Sequence, residues 1–410
     1  MSSPVFVLGG YQTDFARHWS REGKQLSDLL QEATQGVLSV AKLEAQEVQA
    51  AHVGNFMAEA FCHQGHLGAL LLEAMPALDG IPTARHEAAC ASGSIAMLSA
   101  LAELQSGRHE LVLVLGVEWM RNLPGFDAQA LLGAAALVPD ETDGVLYPWA
   151  SIFDAVATEY DERYGLKREH LTALAQSFFQ NAKRNPNAQT RSWRLTPESF
   201  SENDLLNPII AGRLRKQDCS QLTDGAAAIL LVSERFATKY AQERGQRLEA
   251  IPRILGVGHR STRITLRPKL TQSRAAPYVF PQVRRAITDA FQMAGLSGVE
   301  QLDAIECHDC FTPTAYMAID HLGITPPGES FRAIEDGSIL FSGRLPINPS
   351  GGLMGGGHPV GATGVRMLVD SYKQLTQTAG DYQVPNAKCV ATLNIGGSTG
   401  TTVCTILGRG

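Results

Sequence analysis

A histidine and a cysteine far apart in this 410-residue chain have the neighbours expected of a base and a nucleophile. The histidine, His358, lies within NPSGGLMGGGHPVGATGV at residues 348–365, where seven of eighteen residues are glycine. Glycine is selected where the backbone takes unusual torsions or approaches another group closely, and Pro359 fixes the next residue. An imidazole changes charge near neutral pH, so a rigid loop that holds one is typical of a general base.

The candidate nucleophile is Cys90, in HEAACASGS at residues 86–94. Small residues flank it and a helical apolar pattern follows, which predicts a thiol at or just before a helix N-terminus. The partial positive charge there would lower the pKa of the thiol and favour the thiolate. A buried cysteine in a tight helix–sheet contact is the alternative, and this stretch alone leaves both interpretations open.

Two further stretches offer polar groups. ECHDC at residues 306–310 holds two cysteines and a histidine, which are possible zinc ligands. A zinc site would need a second pair of ligands at similar spacing elsewhere, and the sequence has none, so we predict no metal. The cluster ends a predicted strand, and strand alternation would send His308 and Cys310 to one side and Cys307 to the core. In LNIGGSTG, residues 393–400, backbone N–H groups could hold an oxyanion; a plain hairpin turn is the alternative.

Composition excludes several classes of function. The formal net charge of −6 gives no basis for binding nucleic acid or an anionic membrane surface. The N-terminus has no signal-peptide pattern and no apolar run is long enough to span a bilayer, so we expect a cytoplasmic protein. Seven cysteines, an odd number, argue against a disulfide framework, and Cys389 and Cys404 lie in apolar runs typical of a core.

Hydrophobic periodicity predicts alternating strands and helices in two rounds. The first round comprises strands at 5–9, 50–55, 111–117 and 226–233, with helices at 26–41 and after Cys90. Prolines and polar segments interrupt it between about residues 119 and 221, which indicates an inserted loop domain. The second round comprises strands at 253–258, 302–308, 389–397 and 401–407, with helices at 281–295 and after the glycine-rich loop. Two rounds in the same order suggest a duplicated α/β fold.

The CAS loop around Cys90, the HDCF loop at 308–311, the NPSGG and GHPVGATG segments and the late glycine-rich turn occur in the order of one known family. Together with DGAAAILLVSE at 224–234, they resemble the thiolase superfamily, specifically the sterol-carrier-protein-2 type, over essentially the whole chain. The lipid-carrier domain of that type is not expected here. The resemblance implies two pseudo-symmetric βαβαβαββ halves in α-β-α-β-α layers. It implies a first half at 1–120 and 221–250, an inserted domain at 121–220 and a second half at 251–410.

The resemblance also implies roles for individual residues. Cys90 looks like the nucleophile that carries the acyl group, and His358 like the base that activates it. Asn394 occupies the position where most thiolases have their second cysteine, so the acid/base step at carbon should fall to Cys310. His308 should stabilise the enolate oxygen of the thioester, together with His358.

Further expectations concern binding. By resemblance, backbone N–H groups of Cys90 and Gly396 would form an oxyanion hole, and Trp149 in YPWA and Asn394 would contact substrate. Coenzyme A (CoA) enters as a substrate rather than as a bound cofactor, and a homodimer or homotetramer is expected. The implied reaction is CoA-dependent cleavage of a 3-oxoacyl-CoA, as in fatty acid β-oxidation, or the reverse condensation. The alternatives are a one-way condensing or retro-aldol enzyme, or a non-catalytic protein that binds acyl-CoA.

Overall fold

A computed structural model describes residues 3–410 and contains a mixed sheet of nine strands and a separate two-stranded hairpin. Most long strands of the sheet are apolar runs buried along most of their length, as a sheet covered on both faces requires, whereas the strand at 253–261 is more exposed. The strands are β1 (Val5–Gln12), β2 (Ala50–Gly54), β3 (Thr83–His86), β4 (Leu111–Glu118), β5 (Ile209–Ala211), β6 (Leu214–Arg215), β7 (Gly225–Ser233), β8 (Arg253–Ser261), β9 (Ala304–Cys307), β10 (Cys389–Gly396) and β11 (Thr401–Gly408).

The helices cover the faces of the sheet or build the segment between β4 and β7. In the first of them, apolar residues recur every three or four positions and turn one stripe toward the sheet. Within residues 3–410, no helix is both long and apolar enough to cross a membrane. The helices are α1 (Leu26–Ala41), α2 (Ala58–Cys62), α3 (Leu67–Ala74), α4 (Ser92–Gln105), α5 (Gly125–Leu132), α6 (Pro148–Tyr164), α7 (Arg168–Ala182), α8 (Glu234–Glu243), α9 (Leu266–Ser273), α10 (Pro281–Ala294), α11 (Thr312–Leu322), α12 (Phe331–Glu335), α13 (Gly352–Gly356) and α14 (Thr363–Thr376).

The strand order shows the duplication. It runs β3-β2-β4-β7-β1-β8-β11-β10-β9, so the first five strands belong to one half and the last four to the other. A parallel bridge between Ile305 and Ile347 supplies the equivalent of a fifth strand beyond β9. If the strands of each half are renumbered 1 to 5 in chain order, leaving out the hairpin, both halves have the order 3-2-4-5-1 from the outer edge of the sheet to the junction. The predicted pseudo-symmetric thiolase fold is confirmed.

The two halves join through β1 and β8 and fold around a shared layer of helices. Val5 pairs with Ile254 and Phe6 with Arg253 across the junction. One apolar cluster packs α1 and α8 on the outer face of the first half, and a second packs α10 and α11 on the outer face of the other. A third cluster contains α4 and α14 together with strands of both halves. These clusters produce the five layers α-β-α-β-α.

The segment between β4 and β7 contains α5 to α7 and the hairpin β5–β6, in place of the regular alternation found elsewhere. Its helices α6 and α7 pack into the same cluster as α10 and α11. We propose that this segment forms the inserted domain, with bounds at 121–220, between a first half at 1–120 and 221–250 and a second half at 251–410. These bounds stay a prediction.

Glycine allows the central helix layer to lie close to β4. A Cβ atom built on Gly116 would lie 2.5 Å from the Gly361 carbonyl oxygen and 2.6 Å from the Ala362 Cα. Backbone atoms cannot move aside as a flexible side chain can. This contact holds the segment just after His358 against the first half of the sheet.

We therefore expect Gly116→Ala to lower the free energy of unfolding by about 1–3 kcal/mol, the usual cost of an overpacked core. Chemical denaturation measures it. Gly65→Ala is the matched control, because the nearest atom to its added Cβ lies at 3.6 Å and the glycine does not have a positive φ. Equal stability of the two variants would contradict the proposed close contact.

Candidate active site

A cavity of about 70 Å³ lies between the two halves, where the loops after several strands meet. Cys90, His308, Cys310, His358 and Gly397 all lie in its wall. The structure thus brings together residues separated by up to 307 positions. The rest of the wall is mainly apolar and includes Met120, Leu132, Trp149, Phe153, Leu222, Phe311 and Val360.

Cys90 lies in a single 3-10 turn, Ala89–Ala91, directly before α4. The preceding Ala89 has φ of 50°, a left-handed conformation unusual for a residue with a side chain. Ser92 holds this turn, since its hydroxyl donates to the Ala89 carbonyl at 2.6 Å and accepts from the Ala88 N–H at 2.9 Å. Strained backbone fixed by its surroundings is typical of residues whose exact orientation matters.

Burial dominates the proton affinity of the nucleophile. It raises the pKa of Cys90 to about 12, and the nearby carboxylate of Glu118 adds to the effect. Backbone N–H groups of Gly397 and of Cys90 itself lower the pKa and so oppose this rise without cancelling it. The expectation that the helix N-terminus would yield a ready thiolate is therefore wrong, because desolvation outweighs the helix. The thiol needs a base.

His358 can be that base because its tautomer and charge are both set. Its Nδ1 lies 2.7 Å from the Thr363 hydroxyl, whose single proton is donated to the Pro359 carbonyl at 3.0 Å. Thr363 must then accept from Nδ1–H, which leaves Nε2 unprotonated. Burial, with a contribution from Arg366, lowers the pKa of His358 to about 3, so the ring is neutral at neutral pH.

His308 has the opposite tautomer. The Asn394 amide nitrogen donates to the Cys90 carbonyl at 3.1 Å and lies 3.3 Å from His308 Nδ1. Its oxygen accepts from the Ser94 hydroxyl at 2.7 Å, which fixes the amide orientation. His308 Nδ1 is therefore an acceptor and Nε2 carries the proton. Burial lowers the pKa of His308 well below its ordinary value, so this ring is a neutral donor.

The two rings and the thiol form one compact group. Cys90 Sγ and one ring nitrogen from each of His308 and His358 lie within 4.8 Å of one another. The ring centroids are 5.3 Å apart and the planes are nearly perpendicular, at 86°. One sulfur and two nitrogens at this spacing could also ligate a soft divalent metal, but that metal would occupy the nucleophile. A neutral base beside a neutral donor fits proton transfer and acyl chemistry.

Cys310 supplies a second thiol. Burial, and then the proximity of Cys90, raise the pKa of Cys310 well above its ordinary value, so it is protonated at neutral pH. Its sulfur lies 3.7 Å from the Thr314 hydroxyl. The residues on either side of His308 turn away from the cavity: Cys307 lies in the apolar core, and Asp309 accepts N–H groups of the glycine-rich loop.

Three other residues expected at the site lie in different places. Trp149 is in the cavity wall, where its indole N–H donates to the Leu132 carbonyl at 2.9 Å. Asn394 is outside the wall and acts through His308 and Cys90, as described above. Gly396 lies at the end of β10 and packs against Ala88, and the next residue, Gly397, lines the cavity and lowers the pKa of Cys90 through its N–H. The oxyanion role of the Gly396 N–H stays a prediction.

Sequence reasoning missed the residues that orient the catalytic groups. Thr363 carried a signal, since it lies in GHPVGATG, five positions after His358. Ser94 lies in the helix that follows the cysteine loop and bonds a residue 300 positions away, a contact that no local pattern reveals.

A cysteine thiol beside two neutral histidines and a second thiol, placed on a duplicated α/β fold, fits an enzyme that transfers acyl groups through a cysteine. The chain matches the family models "Thiolase, N-terminal domain" over residues 5–235 and "Thiolase C-terminal domain-like" over residues 265–409. The chain therefore belongs to the thiolase family and is an acyltransferase of the thiolase type.

Individual relatives agree with this assignment. An acetyl-CoA acetyltransferase from Methanothermobacter thermautotrophicus is 33% identical over 406 residues, covering 99% of each chain. A non-specific lipid-transfer protein-like 2 from Caenorhabditis elegans is 30% identical over 407 residues, which cover 96% of this chain and 93% of the relative. Among solved structures, the Ltp2-ChsH2(DUF35) aldolase superposes with a TM-score of 0.78 at 21% identity, covering 99% of this chain and 98% of the other. At that identity, the superposition shows the fold alone.

Proposed function

We propose that this enzyme exchanges acyl groups between CoA and Cys90 and cleaves a 3-oxoacyl-CoA, or runs the reverse Claisen condensation. The observation that carries the proposal is the pair of neutral histidines with opposite tautomers around Cys90. One ring accepts a proton and the other donates one. CoA is a substrate here and no tightly bound cofactor is required.

In the first step, His358 Nε2 takes the Cys90 proton while the sulfur attacks the 3-oxo carbon of the substrate. The oxygen that becomes negative would be held by the N–H groups of Cys90 and Gly397, the two that lower the pKa of the Cys90 thiol. Such donors typically contribute about 3–4 kcal/mol each to a tetrahedral intermediate. We propose this pair as the oxyanion hole in place of Cys90 and Gly396.

In the second step, the bond between carbons 2 and 3 breaks, leaving an acyl group on Cys90 and the enolate of acetyl-CoA. His308 Nε2–H and the newly protonated His358 would hold the enolate oxygen. Cys310, which is protonated, gives its proton to the enolate carbon and becomes the thiolate. That thiolate then takes the proton of an incoming CoA thiol, which attacks the acyl group. The released Cys90 thiolate takes its proton back from His358, so Cys90, His358 and Cys310 all return to their starting states.

CoA would reach Cys90 through a neighbouring groove of about 480 Å³. The groove and the catalytic cavity share Gln129, Leu222 and Phe311 in their walls, so they lie side by side. Arg121 and Lys216 line the groove and could meet phosphate groups of CoA. The short acyl group would contact the aromatic wall formed by Trp149 and its neighbours.

We further propose a cytoplasmic enzyme that forms homodimers or homotetramers and acts in lipid metabolism such as β-oxidation. The strand β3 lies at one edge of the nine-stranded sheet and pairs only with β2 within residues 3–410. A free edge of this kind can accept another strand.

Mass spectrometry after mixing the enzyme with acetyl-CoA tests the first half of the reaction. We expect one acetyl group per chain, on the peptide that contains Cys90. The adduct should disappear when free CoA is added, because acyl transfer is reversible. Binding of acetyl-CoA without any adduct would instead support a non-catalytic protein.

A further inference from the structure

The turn that brings Gly397 to Cys90 is held from behind by a buried lysine. Lys269, on α9, has only 8% of its surface exposed. Its ammonium group donates to the Ser398 carbonyl oxygen and, at 2.9 Å, to the Ser398 hydroxyl. A longer contact of 3.5 Å reaches the Ile264 carbonyl. A lysine has three donors, so the turn and the adjacent backbone use all of them.

Burying the ammonium group of Lys269 costs free energy that an uncharged side chain in the same place would not. A buried ammonium is unfavourable when its partners are neutral, and burial lowers the pKa of Lys269 to about 8. The carboxylate of Glu141 raises the pKa of Lys269 only through longer-range attraction. Its own hydrogen bond is accepted from the Leu266 N–H. A cavity of about 380 Å³ gives the amine access to solvent, and Arg263 is the other charged residue in its wall.

The turn itself is strained. Gly397 has φ of 58°, which glycine adopts freely, but Thr399 has φ of 67°. A β-branched residue rarely takes this left-handed conformation. Strain of this kind persists only where the surroundings hold the backbone in place. Ser398 lies between Gly397 and Thr399, and its hydrogen bonds with Lys269 supply that restraint.

On its other side, the turn faces the nucleophile. The Gly397 N–H lowers the pKa of the Cys90 thiol, and Gly397 lines the catalytic cavity while Thr399 lines the cavity beside Lys269. The turn is thus a thin wall between the two cavities. A shift of the backbone at Ser398 would move the Gly397 N–H relative to the sulfur.

We propose that Lys269 is a positioning residue that holds the turn 397–400 so that the Gly397 N–H points at the Cys90 sulfur and at the oxyanion formed there. The effect of Lys269 on catalysis rests on the proposed thiolase mechanism. The effect of Lys269 on the reactivity of the Cys90 thiol does not rest on it and can be measured separately.

The first test replaces Lys269 with methionine, an apolar side chain of similar length. We expect kcat for thiolysis to fall by about 10-fold to 100-fold, since a misaligned oxyanion donor loses much of its effect, while KM changes little. The rate of Cys90 alkylation by iodoacetamide, followed by mass spectrometry, should also fall, because the N–H stabilises the thiolate. Arg267→Met is the matched control: it removes an exposed cation from the same helix and should leave both rates unchanged.

Two more variants keep the test decisive if Lys269→Met folds poorly. Ser398→Ala removes one acceptor of Lys269 and should slow alkylation, but should add little in the Lys269→Met background, because the residues act through one contact. Lys269→Arg keeps the charge and should restore most of the activity. Its kcat should also decline less than that of the wild type as the pH rises above about 8, since arginine stays protonated.

The outcomes separate the two proposals. Unchanged alkylation and kcat in folded Lys269→Met, or in Ser398→Ala, would overturn the positioning role. Slower alkylation in a protein whose wild type performs no thiolysis would support the role of Lys269 and contradict the proposed function.

Discussion

Replacing Cys90 with alanine is expected to reduce kcat for thiolysis by about 10⁴-fold or more, as the loss of a covalent nucleophile does in other enzymes. No other side chain can carry the acyl group at the position of Cys90, since the other thiol, Cys310, is protonated and belongs to a different loop. The two N–H groups that surround the sulfur would stay in place, because alanine fits the same turn. A thiolysis assay with a 3-oxoacyl-CoA measures the loss.

The structure offers a control for this substitution. Cys389 is a half-buried free thiol at the start of β10, at the end of the strand opposite the cavity. Cys389→Ala should retain activity close to that of the wild type. An acetyl adduct that persists in Cys90→Ala would show that another residue is the nucleophile.

The sequence points to the candidate catalytic residues because their signals are local. Cys90 and His358 each lie in a stretch of small residues, and strand alternation places His308 and Cys310 on one side of the chain. Their assembly around one thioester could be expected only from the resemblance, since residues from both halves meet. Periodicity likewise predicts the long strands and helices of both halves, and most of their bounds agree with the structure.

What the sequence does not reveal depends on burial and on distant contacts. The pKa of Cys90 rises because the surrounding layers remove water, an effect that the nine residues around it do not show. The tautomer of His308 depends on Asn394, which is 86 positions away. The left-handed backbone at Ala89 and Thr399 is equally hidden, because neither residue type normally adopts it. The identity of the candidate site residues can therefore be predicted from sequence, whereas the orientation of their side chains requires the structure.

Replacing Cys310 with alanine should separate the two halves of the reaction. His358 takes the proton of Cys90 and can pass it to the departing CoA sulfur, so in Cys310→Ala Cys90 should still accept an acetyl group from acetyl-CoA. Cleavage needs an acid at the enolate carbon, and condensation needs the same group as a base at that carbon. The rate of the carbon–carbon step should therefore fall in either direction by about 10²-fold to 10⁴-fold, the usual contribution of general acid–base catalysis. Mass spectrometry of the adduct and a condensation assay measure the two effects independently.

Cys307 provides the comparison, because it is three positions before Cys310 and faces the core instead of the cavity. Cys307→Ala should lose some stability, since it leaves a small void, but keep both partial reactions. Full condensation activity in Cys310→Ala would remove Cys310 from the mechanism. The only other side chains of the catalytic group that could then protonate the carbon are the two histidines. Because His308 Nε2–H already faces the oxygen in the proposed mechanism, the proton would have to come from His358, which gains one when Cys90 attacks.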